Sequence, residues 1–319
     1  MTDILGGGTE LMVGRLRASL PSELLDNFQI IPTRLNEELD ETKVRIAYIH
    51  DLADDPQLNY LGKEGWKKFH LLVFVSNWQM QTFIARYNIP WSRCVVIQNA
   101  IEPFAPEALE KPQEPIRLIY TPTPHRGLEI VYPVFLELLK TYPDLQLDVF
   151  SSFRLYGWEE RDAQYKNLFD ACEAHPNINY HGSQPNEVVR EALTKAHIFA
   201  YPSIWSETSC LCLIEAMSAG CLAVHSNLGA LYETAANLTY MYQFNEDRNK
   251  HAALFLNILK IAVDDIQNNR VGPRLANQKL YVDEVHNWSR RKDQWQALLT
   301  SLLDVPRGYD KPEFVYRTI

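Results

Sequence analysis

Two glutamates, Glu207 and Glu215, stand eight positions apart in the segment YPSIWSETSCLCLIEAMSAGCLAV, Tyr201–Val224. If the stretch between them is helical, they lie about two turns, or about 12 Å, apart along the axis. Each carboxylate can accept hydrogen bonds from two neighbouring hydroxyls, which suits a sugar or a ribose. The segment follows an apolar run, His197–Tyr201, and opens a helix near Ser209, with Ser206, Thr208 and Ser209 all suited to cap it. Free backbone N–H groups and the positive end of a helix dipole attract phosphate, and in an open α/β sheet ligands bind in this strand-to-helix crevice. The span matches a nucleotide diphosphate-sugar lying along the helix, phosphates at its start and one carboxylate beside the ribose.

Other stretches could also carry chemistry. IRLIYTPTPHRGLEIVYPVF runs from a strand through a Pro/Thr loop to Arg126-Gly127 and then a helix. His50-Asp51 follows the apolar run Val44–Ile49, so His50 sits at a strand's carboxyl end, either in the crevice or as a satisfied core histidine. NYHGSQPNEVVREAL places Ser183 and Gln184 in the turn between a short strand and a helix. Gly6-Gly7-Gly8-Thr9-Glu10 opens a helical stretch but lacks both the P-loop pattern and the dinucleotide fingerprint. No acidic pair stands at a strand end as a metal ligand set would, because Asp54-Asp55 and Asp264-Asp265 read as loop and helix-surface charges. No metal site is expected.

These residues need a frame, and the sequence supplies one. Apolar, β-branched runs recur at Asn27–Ile31, Val44–Ile49, Leu71–Val75, Cys94–Ile97, Ile116–Tyr120, Leu145–Phe150, Ile178–Tyr180, His197–Tyr201, Cys221–Val224 and Leu238–Tyr242. Helical patterns separate them at Asn77–Tyr87, Ile130–Thr141, Arg161–Ala174 and Glu187–Ala196. Nearly all-apolar strands alternating with helices imply parallel sheets covered on both faces, an α/β fold. The stretch EPFAPEALEKPQEP, Glu102–Pro115, holds four prolines and reads as an interdomain linker, the alternative being a proline-rich surface loop within one large domain. Past Gln243 the pattern is helical, over Arg248–Asn268, Arg274–Val285 and Trp288–Leu303, with Gly272-Pro273 separating the first two. Two domains are expected, residues 1–105 and residues 106–285, followed by a helix at 286–303 and a tail at 304–319. Ahead of the glycine-rich turn a first strand is either missing or reduced to Thr2–Leu5.

The 46% hydrophobic and 22% charged composition is that of a globular protein without a membrane span or secretory leader, and the net charge of −9 argues against a nucleic-acid partner. Five cysteines without metal-site spacing read as reduced thiols in a cytoplasmic protein.

The segment SETSCLCLIEAMSAGC resembles the E-x7-E motif, with its EAM-x-x-G continuation, of retaining glycosyltransferases of the GT-B fold, the family-4-like group. That resemblance implies two Rossmann-like domains facing a cleft, and glycosyl transfer from a nucleotide diphosphate-sugar to an acceptor hydroxyl. It further implies retention of configuration, with neither metal nor cofactor. Glu207 would contact the donor sugar, Glu215 the ribose, and backbone N–H groups over Thr208, Ser209 and Cys210 the diphosphate. Arg126, where the family has Lys, would offset phosphate charge, although Thr121-Pro122 replaces the family's upstream Gly-Arg. By the same resemblance His50 would touch the transferred sugar. Gly7 and Gly8 would let substrate approach the backbone, and Ser183 or Gln184 would flank the base or form a plain turn. VVIQNAIEP resembles the end of the family's first domain, and HNWSRRKDQWQALL its last helix, which implies that the helix at 286–303 would pack back on residues 1–105. The acceptor is left open among a glycan, a lipid-linked sugar, a protein and modified nucleic acid. The alternatives are a non-catalytic nucleotide- or sugar-binding module, and a GT-B epimerase or phosphorylase.

Overall fold

The computed structural model describes residues 6–105 and 111–305. Among them the chain forms two compact units, one of residues 8–100 with 288–305, the other of residues 6–7 and 101–287. Thr2–Leu5, expected as a reduced first strand, and the tail beyond residue 305 lie outside the described residues.

The first unit is built on four parallel strands in sequential order: β1 (Phe28–Pro32), β2 (Val44–Ile49), β3 (Leu71–Phe74) and β4 (Cys94–Val96). Every residue of β2 and β3 is buried, as expected of strands covered on both faces. Helix α1 (Gly8–Ser19) precedes the sheet, with the short α2 (Ser22–Leu25) after it. Helix α3 (Asn77–Tyr87) joins β3 to β4, and Ser76 caps it by accepting from the Gln79 N–H at 3.0 Å. The helix Trp288–Ser301, which belongs to this unit, is anchored on α1 where Trp288 Nε1 donates to Ser19 Oγ at 2.9 Å. Its Trp295, fully buried, meets Tyr48 edge-on at 4.9 Å between ring centroids.

The second unit carries six parallel strands: β5 (Arg117–Tyr120), β6 (Gln146–Val149), β7 (Ile178–Tyr180), β8 (Ile198–Tyr201), β9 (Leu222–Ser226) and β10 (Tyr240–Tyr242). Their order across the sheet is β10-β9-β8-β5-β6-β7. The chain moves one way from β5 through β6 to β7, then returns to β8 on the far side of β5 and moves the other way. Right-handed crossovers with this reversal put the helices after β5 and β8 on opposite faces. Accordingly α4 (Leu128–Leu139) touches α5 (Lys166–Ala174) and α9 (Arg248–Gln267), whereas α7 (Leu211–Ser218) touches α6 (Asn186–Lys195), α8 (Leu231–Ala235) and α10 (Gly272–Val285). Tyr120, Tyr201, Phe135, Phe199 and Phe255 fill the core, each worth roughly 1.5–3 kcal/mol of burial.

Three local expectations are corrected. The helix expected over Arg161–Ala174 begins as a 3-10 segment, Glu159–Tyr165, and becomes α-helical only at Lys166. The Asp162 side chain is drawn back to Ser152 Oγ and to the Phe153 N–H, which tightens that turn. Gly272-Pro273 does not separate two helices but forms the first turn of α10, where the missing proline N–H costs nothing. The described part of the proline-rich stretch is neither helix nor strand, but it is fixed to the second unit rather than spanning between units. Phe104 is buried there, with its N–H on Ser218 Oγ at 3.1 Å, and Lys111 Nζ donates to Leu193 O at 2.8 Å. Among the described residues no helix is long and apolar enough to cross a membrane.

Candidate active site

The reversal of strand order falls between β5 and β8, and open α/β sheets bind ligands at the carboxyl ends of strands at such a point. The loop after β5, Thr121–Gly127, ends in a 3-10 turn, Pro124–Arg126; the loop after β8 leads from Pro202 into α7. The two loops touch closely. Gly127 has φ of +138° and faces the Pro202 carbonyl, from which an added Cβ would stand only 2.7 Å away. The Ile204 N–H donates to Arg126 O at 3.2 Å beside it.

This contact brings Arg126 and Glu207 together: Nη1 donates to Oε1 at 2.6 Å. Glu207 is 3% exposed, so its charge is matched by partners rather than by water. Tyr201, the last residue of β8, donates its hydroxyl to the same oxygen. Burial, reinforced by Glu207, pushes that hydroxyl's pKa well above its usual range, so it stays protonated as a donor. Burial opposes the Arg126 charge, but Glu207, Tyr156 and Tyr201 outweigh it and hold the guanidinium well above its ordinary value. The backbone of Glu207 is pinned as well, through a parallel bridge to Gly229 and the Ala230 N–H on its carbonyl at 2.7 Å. Gly229 has φ of +67°, and a Cβ there would overlap the Glu207 backbone.

Around this pair lie an aromatic wall and buried polar atoms. His125 stacks on Phe153 at 5.1 Å and meets Trp205 edge-on at 5.0 Å; Trp205 remains 41% exposed. Burial, with Arg126 and Arg161 near, pulls His125 down to about 4, so it is neutral at pH 7. Thr123 Oγ1, His125 Nδ1 and Arg126 Nε are buried without a hydrogen-bond partner among the described residues. With the buried Thr121 Oγ1 on the same loop, these atoms leave polar groups at the switch point that could each take a hydrogen-bond partner.

Glu215 lies within α7, 6% exposed, and accepts from Asn186 Nδ2 at 3.2 and 3.4 Å and from Arg190 Nη1 at 3.2 Å, both on α6.

A family model described as glycosyl transferases group 1 matches residues 102–274, more than half of the chain. The chain belongs to this family. Group 1 membership makes it a glycosyltransferase by descent, with the Arg126–Glu207 pair inside the matched region. One component of the human phosphatidylinositol N-acetylglucosaminyltransferase is 26% identical over 145 residues, 43% of this chain and 28% of that protein. Its counterpart from Arabidopsis thaliana is 22% identical over 169 residues, 50% of this chain and 35% of that one. The chain thus matches only about a third of the length of these relatives. Among solved structures, a glycosyltransferase from Rickettsia africae superimposes with a TM-score of 0.66 at 16% identity, covering 82% of this chain and 72% of that one. The Anabaena protein HepE, in complex with UDP-glucose, gives 0.62 at 14% identity, covering 82% and 73%. These likenesses establish the fold, GT-B with parallel-sheet α/β units.

Within that frame, Arg126, Glu207, Thr208, Ser209, Cys210 and Glu215 all fall on the β5 and β8 loops or on α7. The helix start needs correction. It opens at Leu211, with Cys210 at the cap position and no side-chain cap, so Ser206, Thr208 and Ser209 do not cap it. Glu207 is therefore on an extended loop, and the two carboxylates are not two turns apart on one helix. Ser183, at the carboxyl end of β7, keeps a buried Oγ without a partner among the described residues, while Gln184 Nε2 closes its own turn on His181 O at 2.8 Å. His50 belongs to the first unit, buried at the end of β2 with its ring 4.1 Å from that of Tyr48, and burial lowers its pKa to about 3. Gly8 opens α1, with Gly7 buried before it.

Sequence reasoning missed Tyr201, Gly229, Asn186 and Arg190. A tyrosine ending a fully apolar strand was the one available signal, because a buried phenol needs a partner.

Proposed function

We propose that this protein transfers a sugar from a nucleotide diphosphate-sugar to an acceptor hydroxyl, with the donor seated at the β5–β8 switch point. The part-buried Arg126–Glu207 pair, beside the orphaned polar atoms of the β5 loop, carries the reading. Glu207 receives the sugar hydroxyls, Glu215 the ribose, and the uncapped first turn of α7 the diphosphate together with Arg126. A fixed cation and helix N–H groups aimed at the departing diphosphate stabilise the charge that develops as the glycosidic bond breaks. His125, neutral at pH 7, is suited to accept or donate a hydrogen bond there rather than to add charge.

Transfer with retention and without metal belongs to the same reading. Three of the four carboxylates in the acidic pairs hold other partners: Asp55 accepts from the Gln57 N–H at 2.8 Å, Asp264 from the Tyr142 hydroxyl at 2.7 Å, and Asp265 from Arg270 Nε at 2.7 Å. The UDP-glucose held by the Anabaena protein supports a uridine donor, and the names of the human and Arabidopsis relatives support an N-acetylglucosaminyl group. Five free thiols support a reducing, cytoplasmic setting.

A second reading, nucleotide-sugar binding without transfer, is favoured by one observation: Glu207 already compensates the Arg126 charge. One assay separates the two. The protein is incubated with UDP-glucose, UDP-N-acetylglucosamine, GDP-mannose and ADP-glucose, with a mixed acceptor pool, and nucleoside diphosphate release is followed with and without excess chelator. Release from one donor, unchanged by chelator, is expected. Binding of a donor without release favours the module, and release abolished by chelator and restored by Mg²⁺ contradicts the metal-independent mechanism.

A further inference from the structure

Glu215 is held by a chain of contacts that starts outside its own helix. Asn186 and Arg190 are four residues apart on α6 and so share a face, and both donate to the carboxylate. Arg190 is in turn fixed from two other directions. Its Nη2 donates to Glu102 O at 2.8 Å, and its guanidinium lies 3.8 Å from the centroid of the Phe104 ring. Phe104 is buried at 6% exposure and tied by its N–H to Ser218 Oγ of α7, the helix that carries Glu215. The guanidinium plane is thus set by a ring face, a carbonyl and a carboxylate together, with the Arg190 side chain only 20% exposed.

A buried carboxylate without a fixed counter-charge takes up a proton or turns toward any donor within reach; a planar fork held in one orientation keeps it ionised and aimed. Lysine cannot do the same, since it has neither a fork for two acceptors nor a plane to stack on an aromatic ring. We propose that Arg190 is a positioning residue for nucleotide recognition: acting through Glu215, it sets the preference of this site for ribonucleotides over deoxyribonucleotides. The inference rests on the reading of Glu215 as the ribose-binding carboxylate. It assigns to Arg190, and to Phe104 behind it, a part in choosing the ligand, not only in holding α6 against α7.

The test uses calorimetry on the full chain with UDP, GDP and ADP, each compared with its 2′-deoxy and 3′-deoxy counterparts. Wild type is expected to prefer at least one ribonucleotide over a deoxy form by about tenfold or more, the size of a charge-assisted hydrogen bond. Arg190→Gln and Arg190→Lys are both expected to bring that ratio to within about twofold, chiefly by weakening the ribonucleotide. Phe104→Leu keeps an apolar side chain in the core and is expected to lower the ratio severalfold, so it decides the matter if the Arg190 variants fail to fold. A preserved ratio in the variants overturns the role of Arg190 and leaves the Glu215 reading standing. Equal weakening of ribo and deoxy forms also overturns it, because that is the signature of a merely structural arginine. A wild type that binds ribo and deoxy forms equally removes the Glu215 reading itself, and this inference with it.

Discussion

Arg126 Nη1 and Glu207 Oε1 lie 2.6 Å apart on loops that leave two adjacent parallel strands, β5 and β8, at the place where the strand order reverses. Their separation in sequence is large, and what joins them is a glycine: only at Gly127 can the β5 loop come so close to the Pro202 carbonyl. The pair is the structural centre of the candidate site, and its energetics can be measured.

Breaking one side of a buried ion pair leaves the other charge uncompensated. Arg126→Met and Glu207→Gln are each expected to lower unfolding free energy by about 3–5 kcal/mol, and the double variant by clearly less than their sum. Urea denaturation of the four proteins gives the coupling. Strict additivity would mean that the two charges are separately solvated and do not act as a unit.

Gly229 supports Glu207 through backbone alone. Gly229→Ala places a Cβ against the Glu207 carbonyl and amide at φ of +67°, and neither backbone atom can rotate away. A loss of about 1–3 kcal/mol in stability is expected, with sugar transfer reduced more than nucleoside diphosphate affinity. Unchanged transfer would show that the placement of Glu207 is not critical.

His125 gives a pH signature. Burial holds it down to about 4 in the folded protein against 6.5 for a free histidine. Between those values the unfolded chain binds a proton that the folded one refuses. The contribution to stability is therefore complete above pH 6.5 and is lost as pH falls toward 4. His125→Gln is expected to flatten the fall in denaturation midpoint across that window by up to about one proton's worth. A variant that tracks wild type throughout would place His125 in solvent.

The parts of this site that could be read from sequence are local. Both glutamates, the AMSAG continuation and Arg126-Gly127 each sit within one short strand-loop-helix unit, so residue types and spacing carry them. The start of α7 was misplaced, because Glu207 is held extended by Gly229, more than twenty positions downstream, and a local capping rule cannot register that bridge. Arg190 and Asn186 were invisible for the same reason: an arginine on a helix is ordinarily solvated, and only the packing of α6 beside α7 turns it toward a carboxylate. The sheets were legible because all-apolar runs specify buried parallel strands directly. Strand order, and with it the switch point, is set by long-range crossovers.

The central claim, a nucleotide-sugar donor lying from Glu207 to Glu215, is tested most directly by titrating nucleoside diphosphate into wild type and Glu215→Gln in a calorimeter. Wild type is expected to bind at least one of UDP, GDP and ADP, and Glu215→Gln to bind it more weakly by about 1.5–3 kcal/mol, the loss of a charged hydrogen bond to the ribose. Equal affinity in the two proteins, or no binding of any nucleoside diphosphate to the wild type, would contradict the account.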